Sequence, residues 1–294
     1  MFKIIKKKEL TPGIIWMAVD APRVARSAKP GQFVIVRASE KGERIPLTIA
    51  DYDPEKGTVV IVTQQLGVST QKICALREGE YLEGFAGPLG KPADFVHEDL
   101  EELRKRRILF IAGGVGTAPV YAQVKWLHDN GVDVDVIIGA KNAGTLILLD
   151  EMRAAAGNVY IATDDGSAGF KGLVTDLLRD LIDNQGKHYD EVIAIGPMIM
   201  MKFVTLTTKE YGIKTIVSLN ALMVDGTGMC GACRVSVGGK TLFTCVDGPE
   251  FDGHQVDFDE AIRRQNMYRD IEARAIKIEE ERRAGHKCNI GLDQ

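Results

Sequence analysis

No stretch of this 294-residue chain stays apolar for anything like the roughly 20 residues that a membrane-spanning helix needs. A strong charge of one sign is also missing. The formal net charge is -4, which removes any general attraction to nucleic acid or anionic lipid. Histidine is scarce, and its five copies are scattered with no acid or nucleophile spaced to work with them; His97, His128 and His188 sit in polar segments. No Ser–His–Asp triad or carboxylate pair presents itself, so nothing in the sequence points to the hydrolases that depend on them. Cysteine is sparse and odd in number: Cys74, Cys230, Cys233, Cys245 and Cys288. Three of these fall within 16 positions, a pattern that argues against a secreted disulfide framework and for a metal site in a reducing compartment. The N-terminus carries Lys3 and Lys6 to Lys8, then runs into Gly13 instead of a signal peptide's apolar stretch. The expected location is the cytoplasm.

What is present is an ordinary globular composition, 45% hydrophobic and 27% charged, long enough for two or three domains. As far as about Val96, branched and aromatic runs such as Phe33 to Arg37 and Thr58 to Val62 are bounded by Gly, Pro and Asp. Short strands at this spacing predict a small antiparallel barrel or sandwich. Glu98 to Arg107 reads as a charged linker or solvated helix. Ile108 to Ala112 is a continuous apolar run, as in a strand buried on both faces. Further strands are expected at 134–138, 159–162, 192–195 and 215–217, with helices at 120–128, 150–156, 174–184 and 199–211. That alternation predicts a parallel sheet covered on both sides. From about Asn220 to Gly253 regularity gives way to glycines and cysteines. Asp257 to Arg283 reads as one charged helix with a thin stripe of Met267, Ile271, Ala275 and Ile278. The stripe suits either packing on its own chain or docking on a partner. The expected fold class is therefore α+β and multidomain. Its domains are a barrel over 1–98, an α/β domain over 105–218, a small cysteine domain over 219–255, and a helix and tail over 256–294.

Gly113-Gly114-Val115-Gly116-Thr117-Ala118-Pro119 sits where the first buried strand becomes a helix. Glycine lets a backbone approach a ligand closely, and the exposed amides of a helix start attract phosphate. A tight turn without ligand is the plain alternative. Gly196-Pro197-Met198 occupies the matching edge of the fourth strand, so the two turns can face one site. Asp164-Asp165-Gly166 ends the third strand, where a turn cap is slightly favoured over contact with a ribose. Lys141 suits a 2′-phosphate but reads more simply as a surface lysine. In the barrel half, Arg44-Ile45-Pro46-Leu47-Thr48 offers an arginine for pyrophosphate and a proline-stiffened strand for a flat ring. Gly67-Val68-Ser69-Thr70 offers amides and hydroxyls at a helix start, or an ordinary cap.

The strongest signal is Asp225-x4-Cys230-x2-Cys233-x11-Cys245, in a loop with Gly226, Gly228 and Gly231. Plant-type [2Fe–2S] loops use C-x4-C-x2-C and a distant fourth cysteine. Here Asp225 stands at the first position, and its carboxylate can still ligate iron. A Cys3Asp zinc site and three unligated cysteines are the rivals, and the spacing favours the cluster. Cys74 and Cys288 read as a buried small hydrophobe and an exposed tail residue.

On these residues the chain resembles the ferredoxin–NADP reductase superfamily. Arg44 to Thr48 looks like its flavin motif, and Gly87-Pro88-Leu89-Gly90 like the turn closing the flavin barrel in the bacterial electron-transfer branch. Gly113 to Pro119, Gly196-Pro197-Met198 and the cysteine loop match the same branch. Within that branch, electron-transfer subunits of dihydroorotate dehydrogenase carry four cysteines. Asp225 and the long tail after Gly253 resemble instead the small (alpha) subunits of NADH-dependent reduced ferredoxin:NADP+ oxidoreductases. That resemblance implies FAD on Arg44, Pro46, Leu47, Thr48, Val62, Gln64, Ser69 and Thr70. It implies NAD(H) or NADP(H) along Gly113, Gly114, Gly116 and Thr117, with Gly196 and Pro197 near the reactive end. It also implies a [2Fe–2S] cluster on Asp225, Cys230, Cys233 and Cys245. The implied partner is a large subunit with flavin and [4Fe–4S] clusters, and the implied activity is ferredoxin-dependent electron bifurcation. Dihydroorotate dehydrogenase and hydrogenase electron-transfer subunits are alternative identities, and a zinc-binding interaction module is the alternative from another class.

Overall fold

The computed structural model describes residues 1–285; Cys288 lies outside them. The N-terminal part is an antiparallel, nearly closed barrel. Its strands are β1 (Phe2–Thr11), β2 (Ile14–Asp20), β3 (Phe33–Arg37), β4 (Ile45–Asp53), β5 (Thr58–Gln64), β6 (Tyr81–Leu82) and β7 (Gly84–Leu89), ordered β6-β1-β2-β5-β4-β3-β7. Two helices pack against its core, α1 (Pro22–Ser27) and α2 (Val68–Ala75). Alternation along the strands sends Ile4, Met17, Val19, Val34, Val36, Ile49, Val59 and Ile61 inward, where all are buried, together with Cys74. Cys74 is thus the small buried hydrophobe that the sequence suggests, its thiol pushed up to about 11 by burial.

A short helix, α3 (Leu100–Lys105), capped by the Asp99 carboxylate and anchored by buried Leu103, leads into the second sheet. That sheet has β8 (Ile108–Gly113), β9 (Asp135–Ala140), β10 (Asn158–Thr163), β11 (Phe170–Lys171), β12 (Glu191–Ile195) and β13 (Lys214–Ser218). Between them run α4 (Thr117–Asp129), α5 (Leu149–Ala155), α6 (Val174–Asp183) and α7 (Met198–Glu210). Every residue of β8 and β12 is buried, as expected for central parallel strands between helical layers. The order β11-β10-β9-β8-β12-β13 reverses direction between β8 and β12. This is the switch point beyond which open α/β sheets hold ligands.

The region from 220 to 252 holds more regular structure than its glycines suggest. It contains a hairpin of β14 (Arg234–Val237) and β15 (Lys240–Phe243), a turn of helix α8 (Thr244–Asp247) and a strand β16 (Glu250–Asp252). β16 adds antiparallel to β13, with Ile216 opposite Asp252 and Ser218 opposite Glu250, so the cysteine region is stitched onto the edge of the parallel sheet. The expected single helix over 257–283 is two helices, α9 (Phe258–Gln265) and α10 (Arg269–Gly285). The first of them ends at Asn266: its backbone amide still bonds the Ile262 carbonyl at 3.2 Å, but the Met267 amide reaches back only three residues, to the Arg264 carbonyl at 3.2 Å, so the α-helical ladder stops there. α9 buries Phe258 and Ala261. The expected stripe does not pack inward, since Met267, Ile271 and Ile278 are 52%, 60% and 65% exposed. α10 instead lies alongside α2 of the barrel.

Candidate functional site

The glycines at the switch point have distinct jobs. A methyl group on Gly116 would stand 2.3 Å from the Ile195 carbonyl oxygen, and one on Gly113 would meet Met200 and Pro197 at 2.4 and 2.9 Å. These glycines let the turn after β8 press against the turn after β12, so the structure does bring the two predicted turns together. Gly114 differs: it has φ +55° and open space above it. The Thr117 hydroxyl is buried and donates to the Gly114 carbonyl at 2.8 Å, which fixes the start of α4 and leaves its amides toward the crevice. The Asp164–Gly166 turn is a cap, as favoured: Asp165 Oδ1 accepts from the Ser167 amide at 2.9 Å and its hydroxyl at 2.6 Å.

The barrel meets this crevice through an apolar contact. Ile14, Ala18, Ala50, Val60 and Val62 pack with Ala118, Ile147 and Leu148, and Lys125 bridges to Asp51 at 2.7 Å. Val62 therefore contributes its side chain to the seam between the domains. Ile45, Pro46, Leu47 and Thr48 are all partly exposed along β4, while Ile49 and Ala50 beyond them are buried. This leaves a half-open apolar shelf with Gln64 exposed beyond it, which fits a flat ring system. At the start of α2, the Ser69 hydroxyl donates to the Glu43 carboxylate. Thr70 Oγ1 accepts from the Leu66 and Gly67 amides, each at 3.0 Å. Thr70 is thus also an internal cap. Arg44, exposed, donates from Nε and Nη2 to the carbonyls of Val224 and Asp225 at 3.0 and 2.9 Å.

In the cysteine loop, Gly226, Gly228 and Gly231 have φ of +84°, +86° and +65°, a conformation that glycine adopts freely and that turns successive amides to one side. The loop rests on the barrel: a methyl group on Gly226 would meet Ile35 Cγ1 at 2.8 Å. Cys233 and Cys245 are buried with Phe33, Ile35 and Met223, their sulfurs 3.2 Å apart. Cys230 is exposed. Asp225 Oδ2 accepts from the Thr227 hydroxyl and from the amides of Thr227 and Met229, the latter two at 2.9 and 3.4 Å. Of the four predicted ligands the structure brings two together; among the described residues no three His, Cys, Asp or Glu side chains converge as a metal-holding group.

The chemistry of these donors nevertheless fits an iron centre. The Ala232 amide, then that of Asp225, lowers the Cys230 thiol toward its ionised form. The Thr227 hydroxyl, then its amide, holds the Asp225 carboxyl below its ordinary range. Cys245 is pushed up to about 12 by burial and then by the Cys233 thiol beside it. Ionising a thiol buried this way needs a compensating cation beside it, which an iron centre supplies.

Sequence reasoning missed three residues that join the domains. Arg264 Nη2 donates to the Ala232 carbonyl at 3.0 Å, tying α9 to the loop. Glu250, beside Gly31 of the barrel, accepts from Nε2 of the fully buried Gln123 at 2.5 Å. Burial, aided by the charges of Asp94 and Glu191 and opposed by the Gln123 hydrogen bond, pushes the Glu250 carboxyl up to about 7. No local pattern marks any of the three, because each partner is distant in sequence.

Comparison with known proteins follows the same division. Residues 110–205 match the oxidoreductase NAD-binding domain family, and residues 220–257 match the iron–sulfur cluster binding domain of dihydroorotate dehydrogenase B. The chain is 60% identical to an uncharacterized protein in the adh 3′ region of Clostridium beijerinckii, covering 95% of each. It is 43% identical to a Thermotoga maritima homolog of the electron transfer subunit of dihydroorotate dehydrogenase B (NAD+), covering 92% of each. A solved structure described as giving insights into flavin-based electron bifurcation, that of an NADH-dependent reduced ferredoxin–NADP oxidoreductase, superimposes with a TM-score of 0.86 at 41% identity. That match spans 96% of this chain and 97% of the other. The chain therefore belongs to the family of dihydroorotate dehydrogenase B electron-transfer subunits and their homologues, as an oxidoreductase subunit with the ferredoxin–NADP reductase fold.

Proposed function

We propose that this chain is the small subunit of an NADH-dependent reduced ferredoxin:NADP+ oxidoreductase, working beside a large subunit that carries flavin and [4Fe–4S] clusters. One combined observation carries this reading: end-to-end likeness to the bifurcating oxidoreductase structure, with an aspartate at the first position of the cysteine loop. In this reading, residues 1–98 hold FAD, 105–218 NAD(H) and 219–255 a [2Fe–2S] cluster, and the helices of 256–285 follow them.

When bound, these groups supply the redox chemistry, a hydride exchanged between nicotinamide and flavin and single electrons carried by iron. The protein's part is binding and alignment. Gly113, Gly114, Gly116 and Thr117 offer helix-start amides to phosphate, and Gly196 and Pro197 form the adjoining floor. Pro46, Leu47 and Thr48 line the flavin shelf, Val62 and Gln64 border it, and Arg44, Ser69 and Thr70 face its phosphates. Asp225, Cys230, Cys233 and Cys245 ligate iron. No side chain has to move a proton in the hydride exchange. The apolar seam between barrel and α/β domain keeps water from the place where two rings would meet. Around exposed Cys230, the exposed apolar residues Val224, Met229 and Val246 suit a partner surface.

The second reading, an electron-transfer subunit for dihydroorotate oxidation, is favoured by the designation of the Thermotoga maritima relative. Anaerobic purification of the native complex separates the two. The proposal expects flavin, iron and sulfide in the chain and a co-purifying subunit with [4Fe–4S] clusters. A smaller flavin-only partner supports the second reading. A colourless chain, with zinc or no metal, refutes both.

A further inference from the structure

Arg44 is the one residue of the flavin motif whose side chain reaches the cysteine loop across about 180 positions of sequence. Its Nε and Nη2 hold two consecutive carbonyls, those of Val224 and Asp225. Its Nη1 makes no hydrogen bond among the described residues, and the residue is exposed. The preceding residue, Glu43, accepts from Ser69 at the start of α2. Segment 43–44 thus spans from the helix start assigned to flavin phosphate to the residue assigned as first iron ligand. A guanidinium suits this position because its planar fork presents five N–H groups in fixed directions, so that two can serve the loop while others face an anion.

We propose that Arg44 is a positioning residue that couples the two cofactor sites, holding the Asp225 backbone with one edge and the flavin pyrophosphate with the other. The proposal rests on the cofactor assignment above. Flavin binding then fixes Arg44, and with it the Asp225 carbonyl, more firmly in an already seated loop, and by reciprocity an intact cluster tightens flavin binding. Lysine keeps the charge but, as a compact ammonium, cannot span two carbonyls and a phosphate together.

The test uses the full chain, stripped of FAD and then resupplied, and follows iron release to a colorimetric chelator. In the wild type, FAD should slow release about tenfold, the effect of one charge-assisted hydrogen bond. Arg44→Lys should still bind FAD, yet release iron at one rate with or without it. Ser69→Ala, which leaves the Arg44 guanidinium and the two carbonyls it holds in place, should need more FAD but recover full protection at saturation. The coupling is overturned if FAD protects Arg44→Lys as well as the wild type, if it fails to protect the wild type, or if Ser69→Ala stays unprotected at saturation. A chain that takes up neither flavin nor iron is told apart by its lack of colour, and defeats the cofactor assignment itself.

Discussion

Glu250 makes the fold's stability depend on pH in a direction opposite to most carboxylates. It lies where β16, α4 and the barrel meet, and burial raises its carboxyl from the ordinary 4.5 to about 7. The folded protein therefore holds a proton on Glu250 that the unfolded chain has already released between those two values. The resulting stability is fully present below 4.5 and is lost as pH rises through 7. A shift of that size corresponds to roughly 3 kcal/mol. For a chain of this length that is on the order of 6 °C in melting temperature. Glu250→Gln removes the ionisation while keeping the shape. Melting curves of both proteins at pH 5, 6, 7 and 8 provide the assay, and groups common to both cancel in the difference. The difference should be small at pH 5, and by pH 8 the variant should melt about 6 °C higher. Parallel profiles across this range would refute the burial of an ionisable Glu250.

Two other expectations follow from the sites. Gly116→Ala places a methyl group 2.3 Å from the Ile195 carbonyl oxygen, so the turns after β8 and β12 must separate. It should cost about 1–3 kcal/mol of stability and weaken NADH binding at least tenfold by calorimetry; wild-type affinity would show that the packed turns do not shape the nucleotide site. Asp225→Cys replaces a hard oxygen donor with a more electron-donating thiolate and should lower the cluster potential by something on the order of 100 mV. A redox titration giving an unchanged or higher value would remove the role assigned to the carboxylate.

The parts of the fold legible in the sequence are those where one local cause decides the outcome. Ile108 to Ala112 reads as a central strand because burial on both faces favours a continuous apolar run, and β8 and β12 are buried throughout, with Glu191 at the start of β12 held by Arg106 and Lys214. The strand–glycine–helix junction at 113–117 reads correctly because its conformation is set by a few adjacent residues. Where a distant partner decides, the sequence is silent. β16 has only three residues and no alternation to announce it; its strand character comes from pairing with β13 some 35 positions earlier. The helix over 257–283 keeps a helical composition throughout, yet the ladder ends at Asn266, where the Met267 amide bonds three residues back instead of four. Periodicity senses burial and propensity, not a local change of hydrogen-bond register.

The same distinction explains the site. Position spacing identifies the loop, because the first three ligand positions of such a cluster come from one short segment, with only the fourth supplied from further along. What seats the loop comes from both larger domains at once. Ile35 of the barrel fills the space left by Gly226, Arg44 holds the carbonyls of Val224 and Asp225, β16 joins the parallel sheet, and Arg264 of α9 anchors Ala232. A loop suspended from three directions loses little conformational freedom on taking up a cofactor, because much of its ordering cost is met in folding. Such a loop also transmits displacement: moving the barrel against the α/β domain must strain the segment from 224 to 233. The spacing between the crevice at the switch point and the cysteine loop is therefore set by the packing of the whole chain. Substitutions in the Ile14–Val62–Ala118 seam, far from any sulfur, would alter it.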